Sequence, residues 1–208
     1  MLSRLVVASL CACSGLAFAQ SFEVAVSGGK ADFRGDNKNL GTLTTDPTSG
    51  TFTLQGGFRL TFRLTFNQGR FFGHEIGYAY NHTSVNIPAT TTIVGAGTVT
   101  NQSQNISVPI HQGFYDFLLY ATPEGKRIRP FAAGGVNFSN FVPSGTGISN
   151  GTTKYGINYG GGIKVRPTEI WGLRFDVRWY NTGKPFDFPN QSGRLQQLEI
   201  GGGFTFNL

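Results

Sequence analysis

The stretch Trp171–Asn181, WGLRFDVRWYN, sets a large apolar side chain at every second position and places Arg174, Asp176 and Arg178 between them. Neighbouring side chains of an extended chain point to opposite faces, so this pattern predicts a strand with one wholly apolar face (Trp171, Leu173, Phe175, Val177, Trp179) and one charged face. Residues 51–67 repeat the split, with Phe52, Leu54, Phe58, Leu60, Phe62, Leu64 and Phe66 against Thr53, Gln55, Gly57, Arg59, Thr61, Arg63 and Thr65. At 154–166, Tyr155, Ile157, Tyr159, Ile163 and Val165 oppose Asn158, Lys164, Arg166 and glycines. At the C-terminus Leu198, Ile200, Phe204, Phe206 and Leu208 oppose Glu199, Gly201, Gly203, Thr205 and Asn207. Weaker copies lie at 22–33, 71–85, 105–121 and 127–138.

That makes about eight strands, an even number at the small end of the range for membrane barrels. Their connections alternate in length. NQGR (67–70), TPEGKR (122–127) and PTE (167–169) have tight-turn chemistry, whereas the links near 34–50, 86–103, 139–153 and 183–194 are long and rich in Gly, Ser, Thr and Asn. Turns at one end and long loops at the other are the arrangement of an outer-membrane barrel, turns periplasmic and loops extracellular. The tract at 87–107 would be a mobile loop or a hairpin standing above the membrane.

The N-terminus carries Arg4, an apolar run from Leu5 and then Ala17-Phe18-Ala19, which predicts a cleaved export signal over residues 1–19 and a barrel domain over 20–208. Both cysteines, Cys11 and Cys13, fall inside it, so the exported chain is expected to be free of disulfides and thiol-bound metal. Leu10-Cys11-Ala12-Cys13 also reads as a degenerate lipobox, leaving a lipidated Cys13 as an alternative. No apolar run of about 18 residues follows. Charged residues make up 13% of the chain, about half the usual share for a water-facing domain, and there are 30 glycines. The net charge of +6 is dispersed, with no basic run or motif for nucleic acid; anionic lipid and lipopolysaccharide are the fitting partners.

Alternation alone does not say which face is inside, but volume does. About eight strands enclose a lumen just wide enough for side chains to fill. The rows of Phe, Leu, Tyr and Trp would overfill it, so they are expected to face lipid. The opposite faces then bring Glu23, Glu75, Asp176 and Glu199 together with Arg59, Arg63, Arg129, Lys164, Arg174 and Arg178. A lone buried ion costs several kcal/mol, so these are expected to form an ion-pair network that plugs the lumen, with surplus cations near the mouths. Trp171 and Trp179 share a face, roughly 26 Å apart at about 3.3 Å per residue. They are placed as the two rims of the lipid-facing band.

These features resemble the small outer-membrane β-barrels of the OmpA/OmpX-like type. Glu199-x-Gly201-x-x-Phe204-x-Phe206 is similar to the C-terminal strand by which the insertion machinery recognises its clients, although this chain continues through Asn207 and Leu208. Gly125–Phe138, GKRIRPFAAGGVNF, resembles a turn and strand of that family. The resemblance spans the whole exported chain. It implies an eight-stranded antiparallel up-and-down transmembrane barrel in the outer membrane, monomeric, without cofactor, inserted by the barrel-insertion machinery.

No catalytic residue and no metal site are expected. None of His74, His82 and His111 is spaced as a metal site with another His, Cys or carboxylate on one strand face. His82 and Ser84 would share a strand face, the pattern of barrel lipid A deacylases, but Val85 follows where Asn is preferred. The function expected is structural or interactive, through the long loops. A narrow porin-like channel is the alternative, lipid A deacylation a further one, and a soluble secreted barrel the rival at the level of fold.

Overall fold

A computed structural model of the chain describes residues 21–42, 44–45, 50–94, 97–144 and 151–208. The leader expected over 1–19, with Cys11 and Cys13, lies outside them. In chain order the strands are β1 (Ser21–Phe33), β2 (Asn39–Thr42), β3 (Thr51–Gln68), β4 (Phe72–Ile87), β5 (Thr90–Val94), β6 (Gly97–Asn101), β7 (Gln104–Ser107), β8 (Ile110–Tyr120), β9 (Ile128–Phe141), β10 (Thr152–Val165), β11 (Trp171–Gly183) and β12 (Arg194–Asn207). Eight of them, in the order β3, β1, β12, β11, β10, β9, β8, β4, pair antiparallel, and β3 pairs with β4 to close the ring. The four remaining strands belong to the long-loop end. There β2 pairs with β3, β7 pairs with β4, and β5 and β6 form a separate hairpin within the Thr-rich tract.

Closure fixes the tilt. Stepping across paired residues from Glu23 leads to Thr65, Glu75, Asp116, Gly135, Asn158, Tyr180 and Gln197, and returns to β1 at Phe33, ten residues along (33 − 23). A stagger of ten over eight strands inclines them by about 40° at ~3.3 Å per residue and ~4.8 Å between strands. The eight residues from Trp171 to Trp179 then rise roughly 20 Å, close to the height of a lipid-facing band.

The wall has the polarity read from Trp171–Asn181. Phe175 is 53% exposed on the outside, while Arg174 and Arg178 are fully buried inside. Phe58, Phe62, Leu64, Ile76, Tyr115, Ile200 and Phe204 continue the apolar exterior. This is an exterior for lipid, since water would solvate none of it.

One strand departs from the expected alternation. Phe52 and Leu54 point inward and are buried, while Thr53 and Gln55 face out, opposite to their placement by period-2 counting. The cause is a β-bulge between Gln55 and Phe58: three steps on β3 match two on β4, from Ser84 to His82, and the extra residue swaps the faces. Glycine at the bulge is required by space. A Cβ on Gly57 would sit 1.7 Å from the His82 carbonyl oxygen, and one on Gly56 would sit 2.5 Å from that of Ala31. Gly57→Ala is therefore expected to lower stability by about 1–3 kcal/mol in a urea titration in lipid vesicles, the range for overpacked sites.

The swap coincides with a change of solvent. β3 has 18 residues and β4 has 16, whereas about 9–11 tilted residues span a bilayer. The upper barrel stands in water, and its interior is apolar: Phe33, Leu40, Phe52, Leu54, Val85, Val108, Ile110, Phe141 and Leu195 form one buried cluster. Phe186 and Phe188, from the loop between β11 and β12, close over it, with Phe188 stacked on Phe52 at 4.3 Å. That loop turns through left-handed backbone at Phe186 (φ 71°) and Asp187 (φ 47°), which costs of order 1–3 kcal/mol per residue. It is held to β2 by hydrogen bonds from Gln191 to the Leu40 carbonyl (2.7 Å) and from the Thr42 amide to Pro189 (2.9 Å).

Candidate functional site

The chemistry-bearing side chains converge inside the barrel, because the odd-numbered residues of β3 below the bulge and of β4 share the lumen with the even-numbered ones of β8, β10 and β11. Lowest, toward the short turns, Lys164 of β10 donates to Glu23 of β1 at 2.7 Å and to the Tyr120 hydroxyl at 3.2 Å. Arg129 of β9 lies over the Tyr120 ring, 3.7 Å from its centroid.

Glu75 of β4 is the hub of the next level. Arg174 grips it through both terminal nitrogens, one at 3.0 Å, Arg178 meets it at 2.8 Å and Arg63 at 3.5 Å, while the Thr65 hydroxyl donates to it at 3.0 Å. Asp176 sits between its two strand neighbours, bonded to Arg174 Nε at 3.0 Å and 3.6 Å from Arg178 Nε; Arg63 reaches it from across the lumen at 3.1 Å. Glu199 of β12 binds Arg59 and Arg63, each at 3.0 Å. Asp116 of β8 accepts from Arg178 and from Asn158. Four guanidiniums (Arg59, Arg63, Arg174, Arg178) thus meet four carboxylates (Glu75, Asp116, Asp176, Glu199), and the charges cancel. Cancellation matters because each ion would cost several kcal/mol unpaired in a dry interior.

Above this cluster Arg59 donates to Asn81 (3.0 Å) and Gln112 (2.6 Å), Gln112 passes a bond to Ser139 (2.8 Å), and the Arg59 guanidinium packs over Tyr180. The polar column ends there, beneath the apolar cluster of the upper barrel.

All ten residues expected inside are buried there. Nine of them pair with opposite charge; Arg129 is placed with an aromatic ring instead of a carboxylate. Asp116 is the member that sequence reasoning missed. Its strand carries large apolar residues on both faces, with Phe114 and Leu118 inside and Tyr115, Phe117 and Leu119 outside, so no alternation singled it out. Trp171 and Trp179 are exposed on the outer wall, Trp179 stacked on Tyr159, and Phe204 and Phe206 project from the outer face of β12 opposite Glu199.

The histidines lie on the outer wall. His74 Nδ1 is 2.7 Å from the Tyr115 hydroxyl and His111 Nδ1 is 2.6 Å from that of Tyr78. His82 and Ser84 share the outer face of β4, and the Ser84 hydroxyl donates to Gln55 at 3.4 Å.

Comparison with solved structures matches this barrel to other outer-membrane barrels. Neisserial surface protein A superposes with a TM-score of 0.59 at 9% identity, covering 91% of this chain and 97% of that one. OprG of Pseudomonas aeruginosa gives 0.60 at 12% identity over 91% and 96% of the two chains. The N-terminal barrel of OprF from the same organism gives 0.52 at 12% over 89% and 97%. Identities this low speak for the fold alone. No curated protein gives a significant sequence match. The family model of the outer membrane protein beta-barrel domain, however, matches residues 5–206. With that match over a closed eight-stranded barrel bearing a lipid-facing wall, the chain belongs to the outer membrane protein beta-barrel domain family and resides in the outer membrane.

Proposed function

We propose that this protein is a closed, non-conducting and non-enzymatic barrel that acts through its extracellular loops, with lipopolysaccharide and outer-membrane lipid around its wall and the barrel-insertion machinery as its partner during assembly. The observation that carries this reading is the double closure of the lumen, a charge-balanced ion-pair cluster at membrane level beneath an apolar cluster capped by Phe186 and Phe188. Ions crossing would have to displace mutually satisfied pairs and then traverse an apolar layer. The long strands support the second half of the reading, since they lift a β5–β6 hairpin and the strapped β11–β12 loop clear of the lipid. Phe204 and Phe206 on the outer face of β12 suit recognition of that strand during insertion. Among the described residues the Ser84 hydroxyl bonds to Gln55 and to no base of the kind that acyl transfer requires.

Planar-bilayer recording tests the closure. Purified protein is expected to add no steady current to the bare membrane. A sustained ohmic current would overturn the plugged reading in favour of a narrow channel.

A further inference from the structure

We propose that the mouth of the barrel on the short-turn side is a binding site for a phosphate-type oxyanion, held by Arg127 and Arg166. The argument starts from the β9–β10 ladder. Arg129 and Lys164 are direct register partners, both buried and both pointing inward. One rung beyond, the Arg166 amide donates to the Arg127 carbonyl at 2.7 Å, which sets two more cations at the end of the same pair of strands. Like charges on facing positions of a sheet repel. Among the described residues, only Lys164 of these four meets a carboxylate, Glu23 at 2.7 Å. Arg129 Nε and Nη2 are buried without a hydrogen-bond partner. Glu124, the acid on the neighbouring turn, is engaged by the Ser21 hydroxyl. The central cluster higher up balances its own charges and takes up none of this surplus.

There is also room for a counter-charge. A cavity of about 380 Å³ opens between the β8–β9 and β10–β11 turns, lined by Gly125, Arg127, Arg166, Pro167, Thr168 and Glu169. The Arg166 guanidinium is lightly held, with one bond of 3.4 Å to Asn207. Glu169 lines the cavity but lies beyond ion-pair distance of either arginine. Two guanidiniums flanking a cavity of this size suit the forked hydrogen bonding of a phosphate, and the Thr168 hydroxyl lines the same space. The phosphate could arrive as a soluble ester or as the headgroup of an inner-leaflet phospholipid, since the short turns face the periplasm.

Isothermal titration in neutral detergent separates these sources. The probes are inorganic phosphate and micellar dihexanoylphosphatidylglycerol, added to the whole protein at low salt. Saturable binding of either probe is expected, weakened by added NaCl and by at least tenfold in Arg127→Gln/Arg166→Gln. Binding of phosphate itself assigns a soluble ligand, and binding of the lipid alone assigns the headgroup. Arg34→Gln/Arg194→Gln removes the same net charge at the opposite end and is expected to change affinity less than twofold. Heat-modifiable migration on gels checks that both variants fold. Absence of binding by both probes, or equal weakening by the two double variants, would overturn the proposal.

Discussion

Replacing Glu75 by Gln is expected to destabilise the barrel by about 3–5 kcal/mol, the loss typical when one partner of a buried ion cluster is removed and the other stays behind. Glu75 is the shared acceptor of Arg63, Arg174 and Arg178, and its loss leaves four cations against three carboxylates in a closed space. Urea unfolding in lipid vesicles, followed by heat-modifiable migration, measures the effect. The double variant Glu75→Gln/Arg178→Met restores neutrality and is expected to be less destabilised than the sum of its single changes, because the two sites share one network. A loss below about 1 kcal/mol for Glu75→Gln would mean that water reaches the guanidiniums and solvates them. The lumen would then be wet, which would also weaken the case for a non-conducting barrel.

Phe175→Arg carries the second large effect. Phe175 lies four residues from Trp171 and four from Trp179, at the middle of the outer apolar band, and is 53% exposed there. Arginine at the midplane of the lipid face costs about 2–4 kcal/mol, or blocks insertion outright. The same change at an outward position above the band, Gln55→Arg, is expected to be nearly neutral because that side chain stands in water. Equal effects at the two sites would contradict the assigned position of the bilayer.

The fold was legible because lipid outside and a narrow lumen inside force the same answer on almost every strand. Trp171–Asn181 states both requirements within eleven residues, and the ten buried ionisable positions followed from parity once the small volume of the lumen had fixed which face is inside. Two things resisted. On β3 a single added residue at Gly56–Gly57 reverses the faces, and counting by two carries Phe52 and Leu54 to the wrong side. On β4 the geometry never changes but the surroundings do: Ile76 and Tyr78 face lipid, whereas Val85, higher on the same strand, turns into the apolar interior while Ser84 meets water. Period-2 reading with one assumed exterior solvent has no means of locating that boundary. Asp116 was hidden for a related reason, since apolar neighbours on both sides of β8 erased the contrast that marked the other carboxylates. The partners of each charge depend on strand stagger, which only the closed ring determines.

The ring closes where β1 meets β12, with Val24 opposite Phe206 and Glu23 opposite Asn207. This seam joins the two most distant strands of the chain, so the other seven strand pairings can form while it is still open. Until β12 arrives, β1 presents a row of unsatisfied amides and carbonyls to a solvent that offers them nothing. The central charges are caught in the same delay, because Glu199 travels on the last strand and Arg59 and Arg63 wait for it on β3. Closing this one seam therefore satisfies the backbone edge of β1 and the Glu199 ion pairs together.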